Sequence, residues 1–228
     1  MLALVDIDGT LLRGTPRAHT AALVSGMREV FGVWAEFDDV VAVGPAGRTD
    51  REIARLVLRR HGVADAEITE GMDRWMERAV AAYPALDAAL PGPEVLPGAA
   101  AGLARMADAG VALALLTGNL EPIARAKMAR AGLGERFPPG GGGYGSDHER
   151  RGALVALAVD RACGDPRARR PVVVGDTPRD IACAREGGAR CIAVTTGVHG
   201  ADALAGADAV VDGLEGAAAV IEGWLAGG

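Results

Sequence analysis

The sequence predicts an α/β protein, a doubly wound parallel sheet with a helical block inserted after the first strand. Apolar runs end repeatedly in polar, glycine-flanked tips. Residues 1–5 run into Asp6-Ile7-Asp8-Gly9-Thr10, residues 111–116 into Thr117-Gly118-Asn119, and residues 172–174 into Gly175-Asp176-Thr177-Pro178-Arg179-Asp180. Unbroken apolar runs of this length are the mark of strands covered on both faces. From Gly98 onward they alternate with helical patterns, as in sheets flanked by helices on both sides. Between about residues 14 and 95 only helical periodicity is visible.

Asp6 and Asp8 lie on one side of an extended chain, because strand side chains alternate with period two. Pro16 suits a first helical turn. Leu23, Val24, Met27 and Val30 follow at three- and four-residue steps, and Gly32 is a stop. Thr49-Asp50-Arg51-Glu52 has the capping-box pattern and opens a helix through Ile53, Leu56 and Val57 that ends near Gly62. A third helix carries Met72, Trp75, Met76, Ala79 and Val80 on one face. Pro84, Pro91, Gly92, Pro93 and Pro97 read as a loop or hinge. These boundaries give a sheet domain of residues 1–13 and 96–228 and a helical block of residues 14–95. Gly14 stands near the first hinge, where it would let the block open and close. Beyond it, helices are expected at 99–109, 121–131 and 152–162, with a short one after Asp176. Strands are expected at 111–116, 172–174, 191–194 and 209–211. Residues 136–145 are too rich in glycine and proline to assign.

Composition excludes several classes. Net charge is −6, which disfavours nucleic acid and anionic membrane as partners. No apolar run approaches a membrane span, and the apolar start is too short for a secretion signal. Cys163, Cys183 and Cys191 have no metal-ligand spacing and read as buried thiols in a reduced, cytoplasmic setting. Nearly all the basic residues are arginine. The sole lysine, Lys127, reads as a solvated surface residue.

Ligands bind at the carboxyl ends of parallel strands, so the three polar tips should share one site. Two carboxylates 4 Å apart repel by roughly 4 kcal/mol at an effective dielectric of 20. Such a pair calls for a neutralising cation or for one protonated carboxyl.

The motifs Asp-x-Asp-Gly-Thr and Gly-Asp-x-x-x-Asp, in this order and separation, resemble those of the haloacid dehalogenase superfamily, and the phosphoglycolate phosphatase-like branch in particular. The resemblance covers the sheet-forming two thirds of the chain and implies that the helical block is a cap. It implies an Mg2+-dependent phosphohydrolase acting on a small phosphorylated metabolite. In that family scheme Asp6 is the nucleophile and Asp8 the general acid and base. Asp6, the backbone carbonyl of Asp8, and Asp176 hold the metal. Asp180 orients groups behind them, or alternatively caps a helix. Thr117 and the Gly118 N–H meet a phosphoryl oxygen, although Thr117 taken alone could equally be a strand-end turn residue.

The chain departs from the family at one place. No lysine precedes the Gly-Asp strand, and Arg150 and Arg151 are the available cations. The string Gly145-Ser146-Asp147-His148-Glu149-Arg150-Arg151 resembles family members in which an arginine takes the lysine's place just ahead of the apolar positions of the next helix, and that resemblance favours Arg151, which Leu154 follows at three residues. Arg48, just before a helix N-terminus, could reach a substrate anion or remain solvated. Asp8 argues against dehalogenation, since halide needs no proton to leave. A phosphosugar mutase or other phosphotransferase stays open, as does a non-catalytic binding protein docking through the Met72, Trp75 and Met76 face. A monomer and a homodimer are both compatible with the sequence.

Overall fold

The computed structural model describes residues 1–13, 17–162 and 165–227. Gly14, Pro16 and Cys163, singled out above, lie outside them. Six strands form one sheet: β1 (Leu2–Val5), β2 (Ala112–Thr117), β3 (Gly143–Tyr144), β4 (Pro171–Gly175), β5 (Arg190–Val194) and β6 (Ala209–Val211). Their order is β3-β2-β1-β4-β5-β6, and every pairing is parallel. The helices of the sheet domain are α5 (Ala99–Asp108), α6 (Glu121–Arg130), α7 (Ala153–Arg161), α8 (Pro178–Glu186), α9 (Ala201–Leu204) and α10 (Leu214–Ala226).

Period-two alternation along the strands builds two cores. Ala3, Val5, Val172 and Val174 pack with Leu103, Met106, Ala217 and Ile221 of α5 and α10. Leu2, Leu4 and Val173 pack on the other face with Leu154, Val155 and Ile181 of α7 and α8. The helices on both faces are what lets these strands be apolar throughout.

Four helices precede α5: α1 (Arg17–Phe31), α2 (Phe37–Ala42), α3 (Asp50–Arg60) and α4 (Asp65–Ala88). They share a third apolar cluster that includes Leu23, Met27, Val57, Leu58, Met72 and Trp75. Met72 and Trp75 are therefore interior, which removes the docking face considered above. The chain enters and leaves this helical block through two paired segments, with Arg13 N donating to Glu94 O and Leu96 N to Leu11 O, both at 2.9 Å.

Two local expectations are corrected. Residue 84 does not open a loop: α4 runs through Pro84 to Ala88. A proline inside a helix costs about 3 kcal/mol, but the buried Trp75, Ala79 and Tyr83 hold this helix onto its neighbours. Thr49 does cap α3, accepting from Glu52 N at 3.1 Å, but the Glu52 carboxylate pairs with Arg48. The capping pattern is therefore only half realised. The short α2 and β3 carried too little pattern to be read from the sequence. No helix among the described residues is long and apolar enough to cross a membrane.

Candidate active site

Val5, the last residue of β1, is level with Leu115 of β2 and Val174 of β4. The three chains thus bring Asp6, Thr117 and Asp176 out side by side. Strand order reverses about β1 here, and the resulting crevice is where open α/β sheets bind ligands. Asp6, Asp176 and Asp180 each offer a carboxylate oxygen, all within 4.8 Å of one another. Gly9 turns the chain with φ +86°, and a Cβ there, or at Gly197, would overlap the Asp176 carboxylate. The acids are packed in by backbone that only glycine allows.

Two cations meet this acidic cluster. Arg151, just before α7 and almost fully buried, places Nη2 3.1 Å from Asp6 and 2.5 Å from Asp180. Its Nε is buried without a hydrogen-bond partner among the described residues. Arg150 instead pairs with Glu186 at 2.5 Å on the surface, 71 % exposed. Of the two arginines, Arg151 is the one beside the acids. Asp180 is fully buried, not the exposed helix acid it could also have been, and Thr177, not Asp180, is the N-cap of α8. Asp180 is the third residue of a capping box with Thr177 at the start of α8, and its other oxygen holds Arg151.

The second cation overturns an expectation. Lys127 is wholly buried, not solvated. Its ammonium lies 2.7 and 3.0 Å from the Asp8 oxygens, 2.6 Å from Asn119 Oδ1 and 3.1 Å from His19 Nδ1. A buried lysine must be paired, and these three partners supply the pairing. Asn119 Nδ2 also donates to Asp8 at 3.0 Å. His19, on α1, meets Asp50 of α3 at 2.8 Å. None of Lys127, Asn119, His19 and Asp50 was selected from the sequence as a site residue. One signal was available: Lys127 falls on the same α6 face as Ile123, Ala124 and Met128, which are all buried.

Charge remains unbalanced. Four carboxylates, Asp6, Asp8, Asp176 and Asp180, face two cations, Arg151 and Lys127. Burial pushes Asp6 up to about 7; Arg151 pulls it back, while Asp180 and Asp8 add to the rise. Asp176 is pushed up to about 8 by burial, then by Asp6 and Asp180. The crowding of Asp6, Asp176 and Asp180 and their all-oxygen donor set fit a hard divalent cation.

The helical block closes over these groups. Asp50 N donates to Gly118 O at 2.7 Å, and Leu120 N donates to Asp50 at 2.8 Å. A Cβ at Gly118 would overlap Arg48 O. Between block and sheet lies a cavity of about 510 Å³, lined by Asp6, Asp8, Thr117, Gly118, Arg151 and Asp176 among others. Thr117 Oγ1 accepts from Asn119 N at 3.3 Å. Arg48 lines the cavity too, with Nη1 paired to Glu52 and Nε donating to the carbonyls of Val43 and Gly44.

The sequence model of the haloacid dehalogenase-like hydrolase family matches residues 3–185. A protein described as "Probable phosphatase IndB", from Dickeya dadantii (strain 3937), is 30% identical over 212 residues, 91% of this chain and 86% of that one. Among solved structures, CbbY from Rhodobacter sphaeroides in complex with phosphate has a TM-score of 0.64 at 22% identity, covering 94% of each chain. A predicted phosphatase from Clostridium acetobutylicum has a TM-score of 0.67 at 17% identity, covering 96% of this chain and 97% of that one. These two likenesses concern the fold. The match over most of the chain, together with the curated relative, makes this protein a member of the haloacid dehalogenase-like hydrolase family, a phosphohydrolase or closely related phosphotransferase.

Proposed function

We propose that the protein is an Mg2+-dependent phosphatase, acting in the cytoplasm on a small phosphorylated metabolite through an aspartyl-phosphate intermediate on Asp6. The observation that carries this reading is the pairing of Asp6 with Arg151 inside a cavity that also takes in Asp8, Asp176, Thr117 and Gly118. An Asp6 oxygen attacks phosphorus as the ester P–O bond breaks, and Asp8 gives its proton to the departing oxygen. Water then attacks the same phosphorus. Asp8 takes the water proton, and the bond to Asp6 breaks to release phosphate. Thr117 and the Gly118 N–H offer hydrogen bonds to the transferring oxygens, and Arg151 balances their charge. Mg2+, held by Asp6, the Asp8 carbonyl and Asp176, would neutralise charge building on the phosphoryl group.

The helical block is proposed as the cap over this site, with residues 14–95 as its extent. Three large apolar side chains left exposed, Phe37, Val41 and Val198, line this cavity. They favour a leaving group with apolar faces over a bare polyol. Burial of Cys183 and Cys191 as free thiols suits a reducing compartment.

The test is a panel of phosphorylated metabolites assayed for inorganic phosphate, with chelator and with Mg2+ restored. Phosphate release that is lost with chelator and regained with Mg2+ is the expected result. Turnover that is indifferent to chelation, or phosphoryl transfer between substrates without release, would reject the reading.

A further inference from the structure

We infer that Lys127 is a positioning residue for Asp8, and that His19 and Asp50 of the helical block hold it in that role. The inference rests on the phosphatase reading of the site. It begins with a match of donors to acceptors. An ammonium has three protons and no lone pair. Around the Lys127 Nζ stand three residues that can accept: Asp8, Asn119 and His19. One proton goes to Asn119, one to His19, and the third is shared between the two Asp8 oxygens at 2.7 and 3.0 Å.

The network then fixes its own directions. His19 Nδ1 faces an ammonium and must accept, so Nε2 carries the proton and donates to Asp50 at 2.8 Å. Asn119 Oδ1 accepts from Lys127, so its amide nitrogen faces Asp8 and donates at 3.0 Å. Asp8 thus receives hydrogen bonds on both oxygens from groups that are themselves oriented. Asp50 is anchored in turn by Leu120 N at 2.8 Å. A residue that must hand a proton to one oxygen and take it from another atom benefits from a single fixed rotamer.

Lys127 itself does not meet substrate. It is fully buried and does not line the cavity, whereas Asp8 does line it. Its effect on the reaction therefore passes through Asp8. This assigns a specific kinetic signature. Proton delivery matters for a poor leaving group such as an alkoxide and hardly at all for 2,4-dinitrophenolate.

The experiment compares an alkyl phosphate with 2,4-dinitrophenyl phosphate, with Mg2+ present, in the wild type, Lys127→Met and His19→Phe. General acid catalysis contributes about a hundredfold or more. Lys127→Met should lower kcat on the alkyl ester by about that factor, leaving KM and the dinitrophenyl ester within about threefold. His19→Phe should give the same selective loss at smaller size, about tenfold. It also serves as the test should Lys127→Met fail to fold. Equal losses on both esters, or no loss on the alkyl ester, in whichever variant folds, overturn the inference while wild-type turnover upholds the phosphatase reading. Absence of wild-type turnover on both esters overturns that reading, and this inference with it.

Discussion

Arg151 and Lys127 are both buried cations at the same acidic cluster, yet they are built into it differently. Arg151 belongs wholly to the sheet domain and bridges two acids, Asp6 and Asp180, with one end of its planar fork. Lys127 is surrounded by three different kinds of acceptor, one of them His19 from the helical block. Guanidinium is rigid, delocalised and always charged, which suits a site where two carboxylates and an incoming phosphoryl group compete for it. Ammonium is a compact charge with three separately aimed donors, which suits holding one carboxylate still. The difference suggests a division of labour. On the proposed mechanism, the arginine balances the charge of the group being transferred, and the lysine holds the geometry of the group that moves protons.

The comparison breaks most visibly on the arginine side. Asp6→Asn keeps the shape of the side chain and removes the proposed nucleophile, and turnover of an aryl phosphate should fall by about four orders of magnitude. Retained turnover would move the nucleophile elsewhere. Arg151→Ala should cost about a hundred- to a thousandfold in kcat/KM, as the loss of an electrostatic stabiliser does. Arg150→Ala removes an exposed pair with Glu186 and should change activity by less than about fivefold. The reverse ranking would assign the phosphate-facing cation to Arg150.

Asp180→Asn separates the structural from the catalytic part of the same arrangement. It leaves the capping geometry largely in place but takes away a buried partner of Arg151, so the protein should lose about 3 kcal/mol of stability in a denaturant titration. An unchanged midpoint would mean that Asp6 alone satisfies Arg151. The smallest effect is expected for Arg48→Ala, under about tenfold and mainly in KM, because its Nε and Nη1 are already engaged within the helical block. A larger effect confined to kcat would place Arg48 among the groups that act on the transition state.

The same contrast explains what could be read before the structure. Asp6, Thr117 and Asp176 were legible because each ends an apolar run, and parallel strands must deliver their ends to one edge. Arg151 was legible because one cation was missing from a known pattern and the helical step to Leu154 chose between two neighbours. Lys127 was not, because a lone charge on a helix defaults to the surface, and only its place on the α6 face of Ile123, Ala124 and Met128 speaks against that. His19 and Asp50 gave even less warning. Asp50 looks like an ordinary first-turn acid of α3, and only tertiary packing turns it toward Leu120 and His19. The helix through Pro84 was hidden for the same reason. Local propensity argued for a loop, and burial of Trp75, Ala79 and Tyr83 overrode it.

The central chemical event of the proposed mechanism is transfer of the phosphoryl group to Asp6. Wild-type protein with Mg2+ and a rapidly cleaved aryl phosphate, quenched in acid within one turnover, should yield a phosphorylated peptide whose fragmentation locates the PO3 unit on Asp6. A phosphoryl group found on any other side chain, or a quench that captures none while substrate is consumed in a burst, would contradict it.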